Sequence, residues 1–260
     1  MIYFIGITAF VLGVIIGSFL NVVVLRLHSK PLTGRSMCMS CGKTLTWREL
    51  VPVFSFLFQK GRCKGCLSKI SKQYILVELL TGIAFCLTAL SIFGSLHFSV
   101  LTVIQFLLYA DIVSILITLS VYDLYHFTIP DIFIWALGVI FVILLSIPGL
   151  FPSFSIPAFL AGPVVALPFF LLWVFSSGRW IGFGDVKLAL VMGWILGISG
   201  GFAMIILSVW IGAIVGIIFV VVTHQKTLKV KIPFGPFLAV GGFLSLLYNI
   251  DMSTIIKWFI

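Results

Sequence analysis

The sequence predicts an all-α, polytopic membrane protein of about eight transmembrane helices, with a small loop domain between helices 1 and 2. Three observations carry that reading. Hydrophobic residues make up 62% of the 260 residues and charged residues 9%, against roughly 45–50% and about 25% in soluble domains. Charge-free stretches recur at lengths that cross a bilayer core, for which about 20 apolar residues suffice. The basic residues, by contrast, concentrate in one segment. With 26 Phe and a mean hydropathy of +1.29, no soluble globule hides this much apolar surface. Disorder, coiled coil, collagen and a disulfide-stapled secreted domain are excluded on the same composition.

The first element is the uncharged segment 1–25. Met1-Ile2-Tyr3-Phe4 supplies neither the basic start nor the cleavage site of a signal peptide, so the segment is read as a helix. From Gln73 to Ala110 the only formal charge is Glu78, and Gly94-Ser95-Leu96-His97 divides that stretch into two spans. Ile132 to Gly178 is uncharged over a length fit for two helices, divided by the Pro-rich run from Ile147 to Ser153. Leu188 to Gln225 is again uncharged and is expected to break at Ser199-Gly200-Gly201. A last span runs from about Pro233 to Ile250.

Charge sets the orientation. The chain carries a formal charge of +9. Between Arg26 and Lys72 lie ten of the sixteen Lys/Arg and a single acid, Glu49. Beside hydrophobic spans such a cluster reads as a cytoplasmic loop retained by the positive-inside rule, not as a nucleic-acid site. Both termini are then outside, and fifteen of the sixteen basic residues fall inside, among them Lys30, Arg179, Lys187, Lys226, Lys229 and Lys231. The expected partner of the basic loop is the anionic headgroup layer of the lipid bilayer.

Cys38-Met39-Ser40-Cys41 and Cys63-Lys64-Gly65-Cys66 form two C-x-x-C pairs with 21 residues between them. Each two-residue gap lets both thiolates point at one ion, with Gly42 and Gly65 expected to ease the turns. Four thiolates make a closed tetrahedral zinc site, which staples structure and leaves no position for catalysis. Redox dithiols and disulfides are the alternatives. A reducing cytoplasm disfavours disulfides, and no thioredoxin-like βαβ pattern surrounds either pair. Cys86, inside the second span, reads as a small buried hydrophobe.

The seven acids sort by position. Glu49 and Asp251 are expected to be solvated, and Glu78 to meet a loop cation. Asp111 falls well inside a span, where it is either functional or a hydrogen-bonded acid of the bundle interior; no role is assigned to it. Asp131 follows Pro130 and suits a helix N-terminus. Asp123 and Asp185, 62 positions apart, lie on turns that the topology brings to one face. Asp185 ends Gly182-Phe183-Gly184-Asp185, whose glycines would permit close packing and unusual dihedrals. Two carboxylates at one site titrate as a pair sharing a proton, the arrangement of an aspartic protease. A proton-coupled transporter with intramembrane aspartates is the competing reading.

Motifs in order along nearly the whole chain complete the picture. They are Gly17-Ser18-Phe19-Leu20-Asn21-Val22, the two C-x-x-C pairs around Val51-Pro52-Val53-Phe54-Ser55, and Ile70-Ser71-Lys72-Gln73-Tyr74 leading to Glu78. After them come Asp123, Ile129-Pro130-Asp131, Gly182-Phe183-Gly184-Asp185-Val186-Lys187, and Ile232-Pro233-Phe234-Gly235-Pro236-Phe237-Leu238-Ala239. This set resembles the prepilin peptidases (type IV leader peptidases), GxGD-type intramembrane aspartic proteases. One departure is a short stretch before Cys38, without an insertion some members carry.

The resemblance implies that Asp123 and Asp185 are the catalytic pair, supported by Gly182 and Gly184, and that Cys38, Cys41, Cys63 and Cys66 bind zinc. It implies prepilins or pseudopilins of type IV pilus or protein secretion systems as substrates. It also implies a second activity, N-methylation of the new N-terminus with S-adenosylmethionine, to which Gly61 is linked. The implied location is the bacterial cytoplasmic (inner) membrane, with the active site on its cytoplasmic side. The expected domains are 1–26, transmembrane helix 1; 27–72, the cytoplasmic zinc-binding loop domain; and 73–260, the membrane-embedded aspartic protease domain of about seven helices.

Overall fold

A computed structural model describes residues 2–27, 34–95, 98–150, 156–223 and 232–258. Lys30, Lys226, Lys229 and Lys231, which enter the orientation argument, and the residues 151–153 of the Pro-rich run lie outside the described residues. Among the described residues there are helices and no strands, and the chain divides into two compact units, Met1–Phe98 and Ser99–Ile260.

In the first unit, α1 (Ile2–Arg26) packs along α3 (Lys72–Ser95), and the segment between them carries a 3₁₀ turn (Trp47–Glu49) and a five-residue helix, α2 (Phe54–Phe58). Small residues let the two long helices touch backbone to backbone. A Cβ on Gly13 would lie 2.6 Å from the Thr81 carbonyl oxygen, one on Gly17 2.8 Å from the Glu78 Cα, and one on Gly82 2.6 Å from Val14. Asn21 is fully buried in this seam, and its Nδ2 donates to the Gly17 and Tyr74 carbonyls at 3.2 Å. Cys86 is half-buried and faces Gly6.

The second unit comprises α4 (Val100–His126), α5 (Asp131–Ser146), α6 (Ile156–Ser176), α7 (Phe183–Thr223), α8 (Gly235–Tyr248) and α9 (Met252–Lys257). Helix α7 packs against α5, α6, α8 and α9, and α4 packs on α5 and α8. Ser99 caps α4 through a reciprocal pair of bonds with Thr102, and Phe127, at φ 54°, ends it in the left-handed region. Helix α6 contains Pro163, which has no N–H to give to the Phe159 carbonyl one turn earlier. Trp194 of α7 supplies the donor instead, Nε1 reaching that oxygen at 2.8 Å.

Five helices among the described residues, α1, α3, α4, α6 and α7, are long and apolar enough to cross a bilayer. The chain is an all-helical, multi-pass membrane protein. Helix α5 and helix α8 are apolar but shorter. The break expected at Ser199-Gly200-Gly201 lies instead at Gly197, the one residue of α7 with non-helical dihedrals (φ 72°, ψ 177°). Gly200 and Gly201 are helical, and a Cβ on Gly201 would sit 2.5 Å from Val165 of α6. Those two glycines serve helix contact, and only Gly197 uses the conformational freedom that a break needs.

Candidate functional site

Four helix ends of the second unit gather around two acids. Asp123 lies in the last turn of α4 and Asp185 in the first turn of α7, and both are buried, 5% and 8% exposed. Both helices that carry them pack against α8. Asp185 Oδ2 accepts the Gly182 N–H at 3.2 Å, while the Asp185 N–H donates to the Gly182 carbonyl at 3.1 Å. This reciprocal turn fixes the carboxylate at the start of its helix. Asp123 Oδ2 accepts the N–H of Gly235, the first residue of α8, at 3.1 Å.

Unusual dihedrals were expected at Gly182 and Gly184, yet neither glycine has a positive φ. Only Gly184 is there for room, since a Cβ on Gly182 would make an ordinary contact. A Cβ on Gly184 would lie 2.8 Å from the Ile129 Cβ, and one on Gly182 3.4 Å from Asp185 Oδ2. Asp131 occupies the first turn of α5, as expected of an N-terminal acid. Its side chain makes no capping bond and accepts from Lys187 Nζ at 2.6 Å, tying α5 to α7. Asp111 is exposed on α4, 12 positions and roughly 18 Å along the helix from Asp123, and stands apart from this cluster.

The four cysteines converge in the first unit. Cys38, Cys41, Cys63 and Cys66 place their Sγ atoms within 4.8 Å of one another. Cys38 Sγ and Cys66 Sγ are 3.8 Å apart, matching the edge of about 3.8 Å in a tetrahedron with metal–sulfur bonds of about 2.3 Å. Two matching turns build the site. The Gly42 N–H donates to the Cys38 carbonyl and the Leu67 N–H to the Cys63 carbonyl, both at 2.9 Å. Gly42 (φ 72°) and Leu67 (φ 59°) fill the equivalent left-handed positions. Gly65, expected to ease the second turn, has no positive φ, and its N–H donates to Cys63 Sγ at 3.3 Å.

Backbone N–H groups of Cys41 and Ser40 pull the Cys38 thiol down to about 6. The Lys43 backbone N–H lowers Cys41, but the Cys66 thiol, desolvation and the Cys38 thiol together outweigh it and raise the group to about 11. Four thiolates this close need a cation among them, and the donor set fits zinc.

Two further acids depart from expectation. Glu49 is buried, not solvated: it accepts from Lys43 Nζ, from the Thr46 N–H and from the Thr46 hydroxyl, each at 2.9 Å. The Thr46 N–H first, and then Lys43, hold its carboxyl down to about 2. Glu78 meets no loop cation among the described residues. It is buried and accepts the Val53 N–H at 2.7 Å.

The segment 11–93 matches the bacterial peptidase A24 N-terminal domain, and the segment 110–217 matches the type IV leader peptidase family. A prepilin leader peptidase/N-methyltransferase of Bacillus subtilis (strain 168) is 33% identical over 254 residues, covering 96% of each chain. The chain belongs to the type IV leader peptidase family. A relative of the same description from Aeromonas salmonicida (strain A449) is 29% identical over 96% of this chain and 92% of its own. The type 4 prepilin-like proteins leader peptide-processing enzyme of Escherichia coli O78:H11 is 33% identical, covering 88% of this chain and 89% of its own. No solved structure matched the chain. Membership makes this leader peptidase relative an enzyme and sets the transporter reading aside.

The contact of Gly235 with Asp123 is the feature of this site that sequence reasoning missed. The motif Pro233-Phe234-Gly235-Pro236 held a signal. A glycine at the first helical position offers an N–H that its own helix does not use, and a Cβ there would lie 2.6 Å from Asp123 Oδ2.

Proposed function

We propose that this chain is a prepilin leader peptidase that cleaves the short basic leader of type IV prepilin-like proteins and then N-methylates the new N-terminus. The observation that carries the reading is the buried pair Asp123 and Asp185, set at helix ends. A prepilin presents a basic leader followed by an apolar helix, so its cleavage point sits at a membrane surface. A pair at helix ends meets it at that depth.

The two carboxyl groups share one proton. The ionised member takes a proton from water as the oxygen attacks the scissile carbonyl. The protonated member hydrogen-bonds the carbonyl oxygen and then delivers its proton to the departing amine. The Gly182 and Gly235 N–H groups hold one oxygen of each acid in place while this happens.

Cys38, Cys41, Cys63 and Cys66 would hold zinc, which on binding closes the loop between α1 and α3. Gly61, at φ 66° and two positions before Cys63, is the residue tied to methyl transfer, for which S-adenosylmethionine is the donor. The division into 1–26, 27–72 and 73–260 stands as a division of labour between anchor, loop and protease. Helix α5, helix α8 and the two parts of α7 on either side of Gly197 support eight crossings. The positive-inside bias supports termini outside and the acids facing the cytoplasm of a bacterial inner membrane.

The test is direct. Purified protein is incubated with a prepilin and S-adenosylmethionine, and the product is weighed. Wild type removes the leader, whereas Asp123→Asn and Asp185→Asn each lower the rate by about 10²–10⁴-fold, the scale of a general acid or base. Cleavage by Asp123→Asn at the wild-type rate would refute the assignment.

A further inference from the structure

The loop of the first unit carries an apolar face that its own fold leaves bare. On α2, Phe54, Leu57 and Phe58 are 60%, 58% and 82% exposed, and their i, i+3, i+4 spacing puts them on one side of the helix. Phe56 turns the other way, its ring meeting Gly61. Lys60, Arg62, Lys64 and Lys69 follow close by and are exposed. A bare apolar face of this kind marks an interaction site.

The depth of that face is set by a single bond. Val53, the residue before α2, is held at positive φ in the strained classic γ-turn conformation (φ 61°, ψ −55°), with the Phe54 N–H donating to the Pro52 carbonyl. Its N–H is clamped at 2.7 Å by Glu78. Glu78 lies six positions into α3, about 9 Å along its axis from Lys72. Leu76 and Leu80, just before and after Glu78, are exposed. On a membrane span, those leucines look into lipid. The loop therefore folds back to the level of the outer acyl chains, and does not stand off in water.

We propose that α2 lies in the membrane interface, with Phe54, Leu57 and Phe58 buried among lipid chains and the neighbouring lysines and arginine on anionic headgroups. Apolar area in the interface plus basic charge above it is the pairing that holds interfacial helices. The segment Arg26–Lys72, with ten basic residues and one acid, supplies the charge complementarity. The proposal rests on the membrane reading of α1 and α3 and not on either catalytic activity.

Full-length protein in vesicles of phosphatidylethanolamine and phosphatidylglycerol tests it, with p-benzoylphenylalanine in place of Phe58, Phe54 or, as lipid-exposed reference, Leu76. After irradiation, mass spectrometry is expected to find lipid adducts at Phe58 and Phe54 within about threefold of the Leu76 yield. Replacing phosphatidylglycerol by phosphatidylcholine should lower the Phe58 yield and spare Leu76. Lipid adducts at Leu76 with none at either loop position would overturn the proposal. So would adducts at Phe58 that go to an added prepilin and not to lipid. Zinc content and leader cleavage of each variant report folding. Adducts from a protein unable to cleave any prepilin would sink the peptidase reading and uphold this one.

Discussion

The backbone N–H of Gly235 donates to Oδ2 of Asp123 at 3.1 Å, joining residues 112 positions apart. Because Gly235 opens α8, the positive end of that helix is aimed at the carboxylate. One oxygen of Asp123 is thereby fixed by main chain.

Gly235→Ala tests this contact. A Cβ at this position would fall 2.6 Å from Asp123 Oδ2, so the acid or the helix end must move. Displacement of a catalytic group by about 1 Å costs about 10²-fold in rate. Leader cleavage should drop on that scale, while membrane insertion and zinc content stay at wild-type levels. A Gly235→Ala enzyme with full cleavage would show that the bond does not position Asp123.

Asp131 should behave differently from Asp123. Its bond to Lys187 is a surface ion pair, worth about 0–1 kcal/mol. Asp131→Asn and Lys187→Met should each keep cleavage within about threefold of wild type on that energy scale. Loss of activity comparable to Asp123→Asn would give Asp131 a part in the chemistry.

For the metal, the expected content is about one zinc per chain, bound by four thiolates. Cys38→Ser or Cys63→Ser should release it and disorder the loop. Because the cysteines and the aspartates belong to different units, methylation should fall more than cleavage. Metal analysis of protein purified without chelators, finding no zinc, would remove the claim.

Gly61→Ser should separate the two activities. Gly61 adopts φ 66°, and a Cβ would press on Phe56 Cζ at 3.1 Å; left-handed backbone strains any residue with a side chain. The expected product has lost its leader but is unmethylated, lighter than the wild-type product by about 14 Da. Complete methylation by the variant would dissolve the link to Gly61.

The C-terminal helix offers a pH test. Asp251 caps α9, and the Thr254 hydroxyl first, then the Thr254 N–H, hold its carboxyl down to about 2. A depressed folded pKa stabilises the helix above the unfolded value of about 3.9, and that stabilisation is lost as pH falls towards 2. Hydrogen-exchange protection of the Thr254 amide should decline across this window. In Asp251→Asn, which caps without titrating, it should stay flat; an equal decline there would assign the effect elsewhere.

The apolar spans were legible because hydrocarbon tolerates few charges, so Asp111 and Glu78 stood out against long neutral runs. The cysteine cluster was legible because tetrahedral coordination demands the C-x-x-C spacing. Glycines were harder, since one letter covers two physical uses. Gly197 and Gly42 are there for their dihedrals, whereas Gly184, Gly201 and Gly235 are there because a neighbour leaves no space. A neighbour distant in sequence is invisible to local reading, which is why Gly235 and the Glu78–Val53 clamp went unseen. Glu49 misled for a related reason. Its basic surroundings suggested solvent, but a short turn closes over it with three bonds.

Pro163 bears on how the chain is made. The Phe159 carbonyl is one that its own helix cannot serve, and its donor, Trp194, lies 35 residues downstream. Released alone into hydrocarbon, α6 would carry that debt, at several kcal/mol for an unmet polar group. The translocation channel therefore does best to retain α6 until α7 has been synthesised, and to release the two as a hairpin. The order of synthesis becomes part of how this half of the protein assembles.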